Sequence, residues 1–277
     1  MNLYKVITDI EKVDPEVYDR LDGRREALKR FSGFAGKVAA VSLPFMLGSM
    51  FKKAYGRTTS VVGDVLNFAL TLEYLEAEFY KKAVASAPIP AETLAGYTLI
   101  RDHEVAHVAL LRQTITALGE TPVTLTAANF DFSGGNGSQT GPFANVFTNY
   151  DVLLAVSQAF EDTGVRAYKG QAANLISNND VLKAALQIHS VEARHAAYIR
   201  KLRKDRGANV KPWITGNETG GIAGIEAVYA GEQNTTQASV AITNINGQAI
   251  SANAASESFD EPLTKDEVTA IVNPFII

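Results

Sequence analysis

The sequence repeats one pattern of glutamate, histidine and tyrosine after an interval of 88 positions. The first copy comprises Glu73, Tyr80, Glu104 and His107, and the second comprises Glu161, Tyr168, Glu192 and His195. The same shift of 88 relates every pair of positions: 73 to 161, 80 to 168, 104 to 192 and 107 to 195. Four carboxylates and two imidazoles in two equivalent sets are typical of a two-metal site in a four-helix bundle. The repeat therefore predicts such a bundle, with both sets at one centre.

Four segments have the periodicity of amphipathic helices and end at stop signals. We predict helices at about residues 61–85, 91–118, 149–174 and 180–206. The connections within each pair are short, whereas a polar, glycine-rich link of about 30 residues joins the second helix to the third. One long link between two helix pairs is the ferritin-like way to connect a bundle. The predicted fold class is therefore all-α, a ferritin-like four-helix bundle with a long crossover.

Composition shifts divide the chain into three regions. We expect a helical N-terminal extension at 1–57, the bundle at 58–206, and an irregular C-terminal extension at 207–277 that packs on the bundle. Much of the last region is rich in glycine, asparagine, threonine and serine, and its apolar residues are not periodic. Near its end, Thr264 and Glu267 have the spacing of a capping box, which predicts one short final helix.

The N-terminal extension contains a segment, 24–51, that resembles a degenerate twin-arginine export signal. Arg24 and Arg25 precede an apolar run, but Lys37 and Pro44 interrupt this run and no Ala-x-Ala site follows it. We therefore favour a retained segment that packs on the domain or on a partner, which slightly favours a cytoplasmic location. Export through this signal is the alternative.

The glutamates of the repeat lie on helix faces that are otherwise apolar. Residues 3, 4, 7 and 11 positions apart share one face of a helix, and the neighbours of Glu73 at such spacings include Leu66, Leu70 and Ala77. Ionised carboxylates in apolar surroundings are unstable unless an opposite charge compensates them. Two divalent cations would balance four carboxylates, and neutral imidazoles would complete the ligand sets. We predict that the six glutamates and histidines of the repeat bind these cations.

Several other polar residues near the repeat are weaker candidates for a role in metal binding. Glu76 lies one helical turn after Glu73 and could replace it as a ligand, but its equivalent in the second copy is Gly164. His103 and His189 have no histidine equivalents. His189 lies one turn before Glu192 and is a candidate to orient a ligand, but a satisfied core or surface histidine is the favoured interpretation. A second matched pair, Arg112 and Arg200, is expected to pair with ligand carboxylates or to cap the bundle.

The bulk composition excludes several other classes of protein. A length of 277 residues allows a large core, and 46% hydrophobic with 20% charged residues is ordinary for a soluble globular protein. The net charge of -4 gives no basic surface for nucleic acid, so we expect no nucleic-acid partner. The absence of cysteine excludes disulfides, thiolate zinc sites and iron–sulfur clusters. No segment is long and apolar enough to predict a membrane span.

The central helices resemble the ferritin-like superfamily, which includes bacterioferritins, rubrerythrins and manganese catalases. Within the C-terminal extension, the stretches 228–237, 259–264 and 274–275 are similar to the ferritin-like family that includes desiccation-related proteins. The resemblance implies that Glu73 and His107 hold one metal ion and that Glu161 and His195 hold the other. It also implies that Glu104 and Glu192 bridge the two ions. The long extensions depart from cage-forming ferritins and put a mineral-storing shell in doubt.

Three functions are compatible with these features. The first is an oxidoreductase in which two iron or two manganese ions act on oxygen or peroxide, as a ferroxidase or a catalase-like enzyme. Tyr80 and Tyr168 are then candidate catalytic residues, because each stands two turns from a ligand glutamate on the same face; ordinary buried tyrosines are the alternative. The second function is metal binding without turnover, and the third is a structural protein that assembles, for example as a homo-oligomer.

Overall fold

A computed structural model describes residues 59–245 and 247–277 of the chain. The N-terminal extension predicted at 1–57, with its export-signal-like segment 24–51, lies outside the described residues. None of the helices in the described ranges combines the length and the apolar character that crossing a membrane requires.

Four long helices form the bundle and confirm the predicted fold class. They are α1 (Thr59–Ser86), α2 (Ala91–Ala117), α3 (Tyr150–Gln171) and α4 (Asn179–Asp205). Helix α1 packs along α2, and α3 packs along α4. The ends follow from local chemistry, because Asn149 and Asn178 cap α3 and α4 with their side-chain oxygens. Gly119, with a φ of 83°, takes the left-handed conformation just after α2.

The crossover from α2 to α3 is an ordered loop built around a buried aspartate. It contains one 3₁₀ turn, Ala127–Asn129. The fully buried carboxylate of Asp131 accepts hydrogen bonds from the backbone N–H groups of Ser133, Gly137 and Gln139, at 2.9–3.0 Å. The backbone N–H of Asp131 itself donates to the carbonyl of Phe275, which attaches the crossover to the end of the chain.

The C-terminal extension is mostly irregular, with short elements. In chain order these are a 3₁₀ turn (Glu226–Tyr229), the paired strands β1 (Thr236–Gln237) and β2 (Val240–Ala241), the paired strands β3 (Asn244–Ile245) and β4 (Gln248–Ala249), the helices α5 (Ala252–Ser256) and α6 (Lys265–Val272), and a 3₁₀ turn (Asn273–Phe275). Helix α6 begins with the predicted capping box of Thr264 and Glu267. The extension covers the outer face of α3, so that every residue from 153 to 168 is buried.

One buried arginine attaches the extension to α3. Arg166 is 1% exposed, and its guanidinium donates to the backbone carbonyls of Val228, Ala230 and Glu261. It also pairs with Glu232, which is itself 1% exposed, at 2.8 Å. A guanidinium that is satisfied by carbonyls and a carboxylate can be buried without leaving unpaired charge. Arg166 therefore adds a buried polar attachment to the apolar contacts between the extension and α3, such as that of Phe275 with Phe160.

We expect Arg166→Ala to destabilise the protein by about 3–5 kcal/mol, because it leaves the Glu232 carboxylate buried without its partner. The measurement is urea unfolding followed by circular dichroism. The matched control is Arg206→Ala, which breaks an exposed pair with Asp151 and should cost less than about 1 kcal/mol. Similar losses for both variants would contradict the role given to Arg166.

Candidate metal centre

The four bundle helices bring the six glutamates and histidines of the repeat into one buried cluster. Helix α1 contributes Glu73, α2 contributes Glu104 and His107, α3 contributes Glu161, and α4 contributes Glu192 and His195. The four glutamates have no exposed surface, and the two histidines are 8% and 4% exposed. Three residues are nearly one helical turn, so both members of each Glu-x-x-His pair point to the same side of their helix.

The six side chains form two overlapping groups of possible ligands. One group contains Glu73, Glu104, His107 and Glu192, and the other contains Glu104, Glu161, Glu192 and His195. Within each group the ligand atoms lie within 4.8 Å of one another. Glu104 and Glu192 belong to both groups. The cluster therefore has the donor atoms and the arrangement that a paired metal site requires.

Histidine nitrogens lie at the centre of each group. The Nδ1 atom of His107 is 3.2 Å from both Glu73 Oε2 and Glu192 Oε1. The Nδ1 atom of His195 is 2.9 Å from Glu104 Oε1 and 3.2 Å from Glu161 Oε2. Each imidazole thus lies within 3.3 Å of a carboxylate from the other helix pair. Both copies of the repeat therefore contribute residues to each group.

Several buried polar atoms of the cluster have no hydrogen-bond partner in the part of the chain that the structure describes. They are Oε1 of Glu104, Oε2 of Glu161, both carboxylate oxygens of Glu192, and Nδ1 of His195. His195 Nδ1 lies 2.9 Å from Glu104 Oε1, but the two atoms are not aligned for a hydrogen bond. Buried oxygens without partners are strongly unfavourable, and cation coordination satisfies them. Oxygen and imidazole donors suit iron and manganese, so these residues fit a metal pair.

The pKa values of the buried glutamates and histidines indicate that negative charge in the cluster is unfavourable without a compensating positive charge. Burial raises the pKa of Glu104 well above its ordinary value, with further contributions from Glu192 and Glu73. Burial also raises the pKa of Glu161, to about 7. Burial alone would lower the pKa of His195, but the surrounding carboxylates raise it to about 12. Without metal ions, protonated imidazoles and carboxyls therefore supply the compensating protons.

Two buried tyrosines link the helix pairs through ligand carboxylates. Tyr80 on α1 donates its hydroxyl to Glu161 Oε1 on α3 at 2.5 Å, and Tyr168 on α3 donates to Glu73 Oε1 on α1. Burial, together with these carboxylates, raises the pKa of both phenols well above the ordinary value. The phenols therefore remain protonated donors. Each one holds one oxygen of its glutamate and leaves the other oxygen facing an imidazole.

A histidine outside the repeat, His103, contacts a histidine of the cluster. His103 Nδ1 lies 2.9 Å from His195 Nε2, and the two rings stack with centroids 5.2 Å apart. His189 contacts the backbone carbonyl of Val165 at 2.9 Å, in agreement with the favoured interpretation of a satisfied histidine. The signal for His103 was its position four residues before His107 on α2, which places both on one helix face.

The residue pair that breaks the repeat, Glu76 and Gly164, meets across the bundle. Glu76 is 4% exposed, and burial and the Glu192 carboxylate raise its pKa well above the ordinary value. A Cβ atom added to Gly164 would lie 3.3 Å from Glu76 Oε1 and 3.6 Å from Glu192 Oε2. A glutamate in place of Gly164 would therefore begin in contact with two buried carboxylates. The repeat is asymmetric at a position where Glu76 already occupies the neighbouring space.

The expected role of the matched arginines was wrong in one part. Arg200 pairs with Asp162 at 2.6 Å, and Arg112 donates to the Tyr74 hydroxyl at 2.5 Å and to the Val123 carbonyl. Neither arginine pairs with a glutamate of the cluster. Both lie farther along their helices, where they attach the bundle to the crossover and to the C-terminal extension.

The sequence matches the family model of the ferritin-like domain over residues 62–205, which is just over half of the chain. The chain belongs to the ferritin-like domain family. This membership agrees with the four-helix architecture and with the resemblance to the ferritin-like superfamily. No curated protein sequence matches this ferritin-like protein. The narrower similarity to desiccation-related proteins stays a prediction that rests on the residues of the C-terminal extension.

We expect metal removal to lower the melting temperature at neutral pH and mild acidification to restore part of the loss. Between pH 4.5 and about 7, folded Glu161 holds a proton that the unfolded chain releases, so this contribution to stability falls as the pH rises. The raised pKa of His195 likewise makes the stability of the folded protein fall as the pH rises above 6.5. Calorimetry of the chelated protein at pH 8 and pH 6 should therefore show a higher melting temperature at pH 6, by several degrees for each ~2 kcal/mol gained.

The metal-loaded protein provides the control for this experiment. Protons compete with cations for carboxylates and imidazoles, so acidification should lower its melting temperature. Equal melting temperatures for the loaded and chelated samples at both pH values would show that the cluster does not bind metal ions.

Proposed function

We propose that this ferritin-like protein binds two iron or two manganese ions in the buried cluster and that the loaded centre acts on oxygen or peroxide as an oxidoreductase. The observation that carries the proposal is the pair of overlapping ligand groups that share Glu104 and Glu192, with buried oxygens that lack other partners. In a core with a purely structural role, four unexposed carboxylates around two imidazoles would be energetically unfavourable.

The proposed ligand roles follow the two groups. Glu73 and His107 belong only to the first, Glu161 and His195 belong only to the second, and the two shared glutamates are the bridges. Four ionised carboxylates and two divalent cations sum to zero charge, which suits a centre without exposed surface. Redox-active metal ions held in this way would exchange electrons with dioxygen or peroxide. Carboxylates and imidazoles accept both iron and manganese, so ferroxidase and catalase-like activities both remain within the proposal.

The protein's own residues have three roles in this proposal. Tyr80 and Tyr168 orient Glu161 and Glu73 through hydrogen bonds that their hydroxyls donate. His103 fixes the ring of His195, so that Nδ1 of His195 faces the carboxylates. Burial of the whole cluster excludes bulk water, which strengthens each of these polar interactions.

Elemental analysis tests the ligand assignment directly. We expect about two iron or manganese ions per chain, and the loss of both in Glu104→Ala or Glu192→Ala, because each of these glutamates serves both ions. The matched control is Glu78→Ala, on the same helix as Glu73 but paired with Lys81 outside the cluster, which should retain both ions. Loss of a single ion in the Glu104 or Glu192 variants would contradict the bridging roles.

Replacing both Tyr80 and Tyr168 with phenylalanine tests their part in turnover. We expect an unchanged metal content and a rate of oxygen or peroxide consumption that is lower by about 10- to 100-fold. That range corresponds to the loss of a hydrogen bond to a charged group, about 1.5–3 kcal/mol. Tyr97→Phe is the control, since Tyr97 is equally buried but has its hydroxyl beside Ser157 rather than a cluster carboxylate.

The outcomes of these two experiments separate the functions that the sequence left open. If the double phenylalanine variant turns over at the parent rate, the tyrosines are core residues. If the loaded parent consumes neither oxygen nor peroxide, the protein binds metal without turnover. If no metal is bound at all, a structural or assembly role replaces the proposal.

A further inference from the structure

We propose that dioxygen is the oxidant and that it reaches the centre through a route between α3 and the C-terminal extension whose outer part is lined by apolar residues. The route consists of an outer cavity and an inner void, and the ring of Phe160 separates them. This inference rests on the proposed oxidoreductase function and narrows its substrate. The route begins at a surface opening and ends beside Glu192, one of the two glutamates that both ligand groups share.

The outer cavity has a volume of about 190 Å³ and an entirely apolar set of lining residues. Glycine, alanine, proline, valine, isoleucine and phenylalanine are the only residue types that line it. Ala227 and Ala270 are exposed at its mouth, whereas Val156 and Val228 are buried at its floor. Apolar cavities of about 150 Å³ in proteins stay dry and bind small apolar molecules. This cavity is therefore suited to an uncharged, apolar guest.

The inner void lies beyond Phe160 and is much smaller. Its volume of about 10 Å³ is close to the space that one water-sized molecule needs. Phe160 lines both spaces, and its ring is held between those of Phe79 and Phe275, with centroids 5.1 and 4.9 Å away. Leu72, Leu75 and Val272 form much of the rest of the wall, and the polar residues Thr163 and Glu76 complete it beside Gly164; all of these residues are buried. The void therefore has room only for a very small molecule.

The inner void reaches the metal centre at Gly164. The position of a Cβ on this glycine would be 3.6 Å from Glu192 Oε2 and 3.3 Å from Glu76 Oε1. Both oxygens of Glu192 lack hydrogen-bond partners among the described residues. Because Gly164 lines the void and has no side chain, no side chain of this residue separates the void from the Glu192 carboxylate. A larger residue at this position would occupy that space.

The chemistry of the lining favours dioxygen over the other small oxidants. Hydrogen peroxide would have to give up hydrogen bonds to water in a cavity that offers no polar side chain in return, which is unfavourable. Metal ions would lose their hydration there at a far greater cost. Dioxygen is apolar and loses no hydrogen bonds on entering. The outer cavity is therefore selective for it before the molecule reaches the carboxylates.

Methyl NMR under dissolved dioxygen tests the route without using the activity. The probe is dioxygen itself, and the sample is the full-length chain with added diamagnetic Zn²⁺. We expect the paramagnetic relaxation of the Val156, Leu75 and Val272 methyl groups to exceed, by several-fold, that of Leu70 and Ile115, which are as deeply buried but line neither space. Equal relaxation at all five residues would overturn the route.

Filling the mouth of the outer cavity tests its use in turnover. Ala270→Trp should lower the relaxation at Leu75 and Val272 and slow dioxygen consumption several-fold, with an unchanged metal content. The matched control is Ala252→Trp on α5, which is also exposed but lies outside both spaces. Equal rates and equal relaxation in the two tryptophan variants would overturn the proposal, even if the metal centre is active.

Gly164→Ala tests the inner opening. The added Cβ would lie 3.3 Å from Glu76 Oε1 and 3.6 Å from Glu192 Oε2, so displacement of the Glu192 ligand would appear as a lower metal content. We expect slower dioxygen consumption with both metal ions still bound. Parent-like consumption would overturn the last step of the route.

Failure of this inference can be told apart from failure of the proposed function. If the loaded protein consumes neither oxidant while the relaxation pattern holds, the function fails and the route stands. If it consumes peroxide alone and Ala270→Trp slows that reaction, the choice of dioxygen is overturned.

Discussion

The burial of four carboxylates at the centre of four helices is the constraint on which the rest of this structure depends. Unpaired charges in a protein interior are severely unfavourable, and here all four glutamates have no exposed surface. The two imidazoles, the two phenols and the protons that Glu104 and Glu161 bind more readily, because burial raises their pKa values, compensate this charge in part. Two divalent cations would compensate it completely. The close packing of the bundle and the proposed chemistry therefore have the same physical origin.

The C-terminal extension makes this centre unusually dry. Helix α3 is buried on all sides from 153 to 168, because the extension covers the face that would otherwise meet solvent. Arg166 and the Asp162–Arg200 pair attach this cover through buried polar contacts. The apolar cavity that remains beneath it leads towards Gly164. A layer that appears irregular in sequence thus controls both the dielectric environment of the centre and the access to it.

Sequence patterns predicted the helices and the repeat residues because both depend on local periodicity. Helix ends were predicted to within a few residues, the first two from prolines and a glycine. The contact of His103 with His195 and the pairing of Arg200 with Asp162 were missed. Each joins residues on different helices, and their spacing along the chain carries no signal of that contact.

By itself, the sequence determined that two matched sets of glutamate, histidine and tyrosine belong to a four-helix bundle of the ferritin-like type. It did so because a helix repeats every 3.6 residues, so fixed spacings place side chains on fixed faces. Only the tertiary structure decided that His103 contacts His195 and that Glu76 lies against Gly164. These outcomes depend on how far each helix is rotated towards its neighbours. That rotation is set by the packing of all four helices and of the extension around α3.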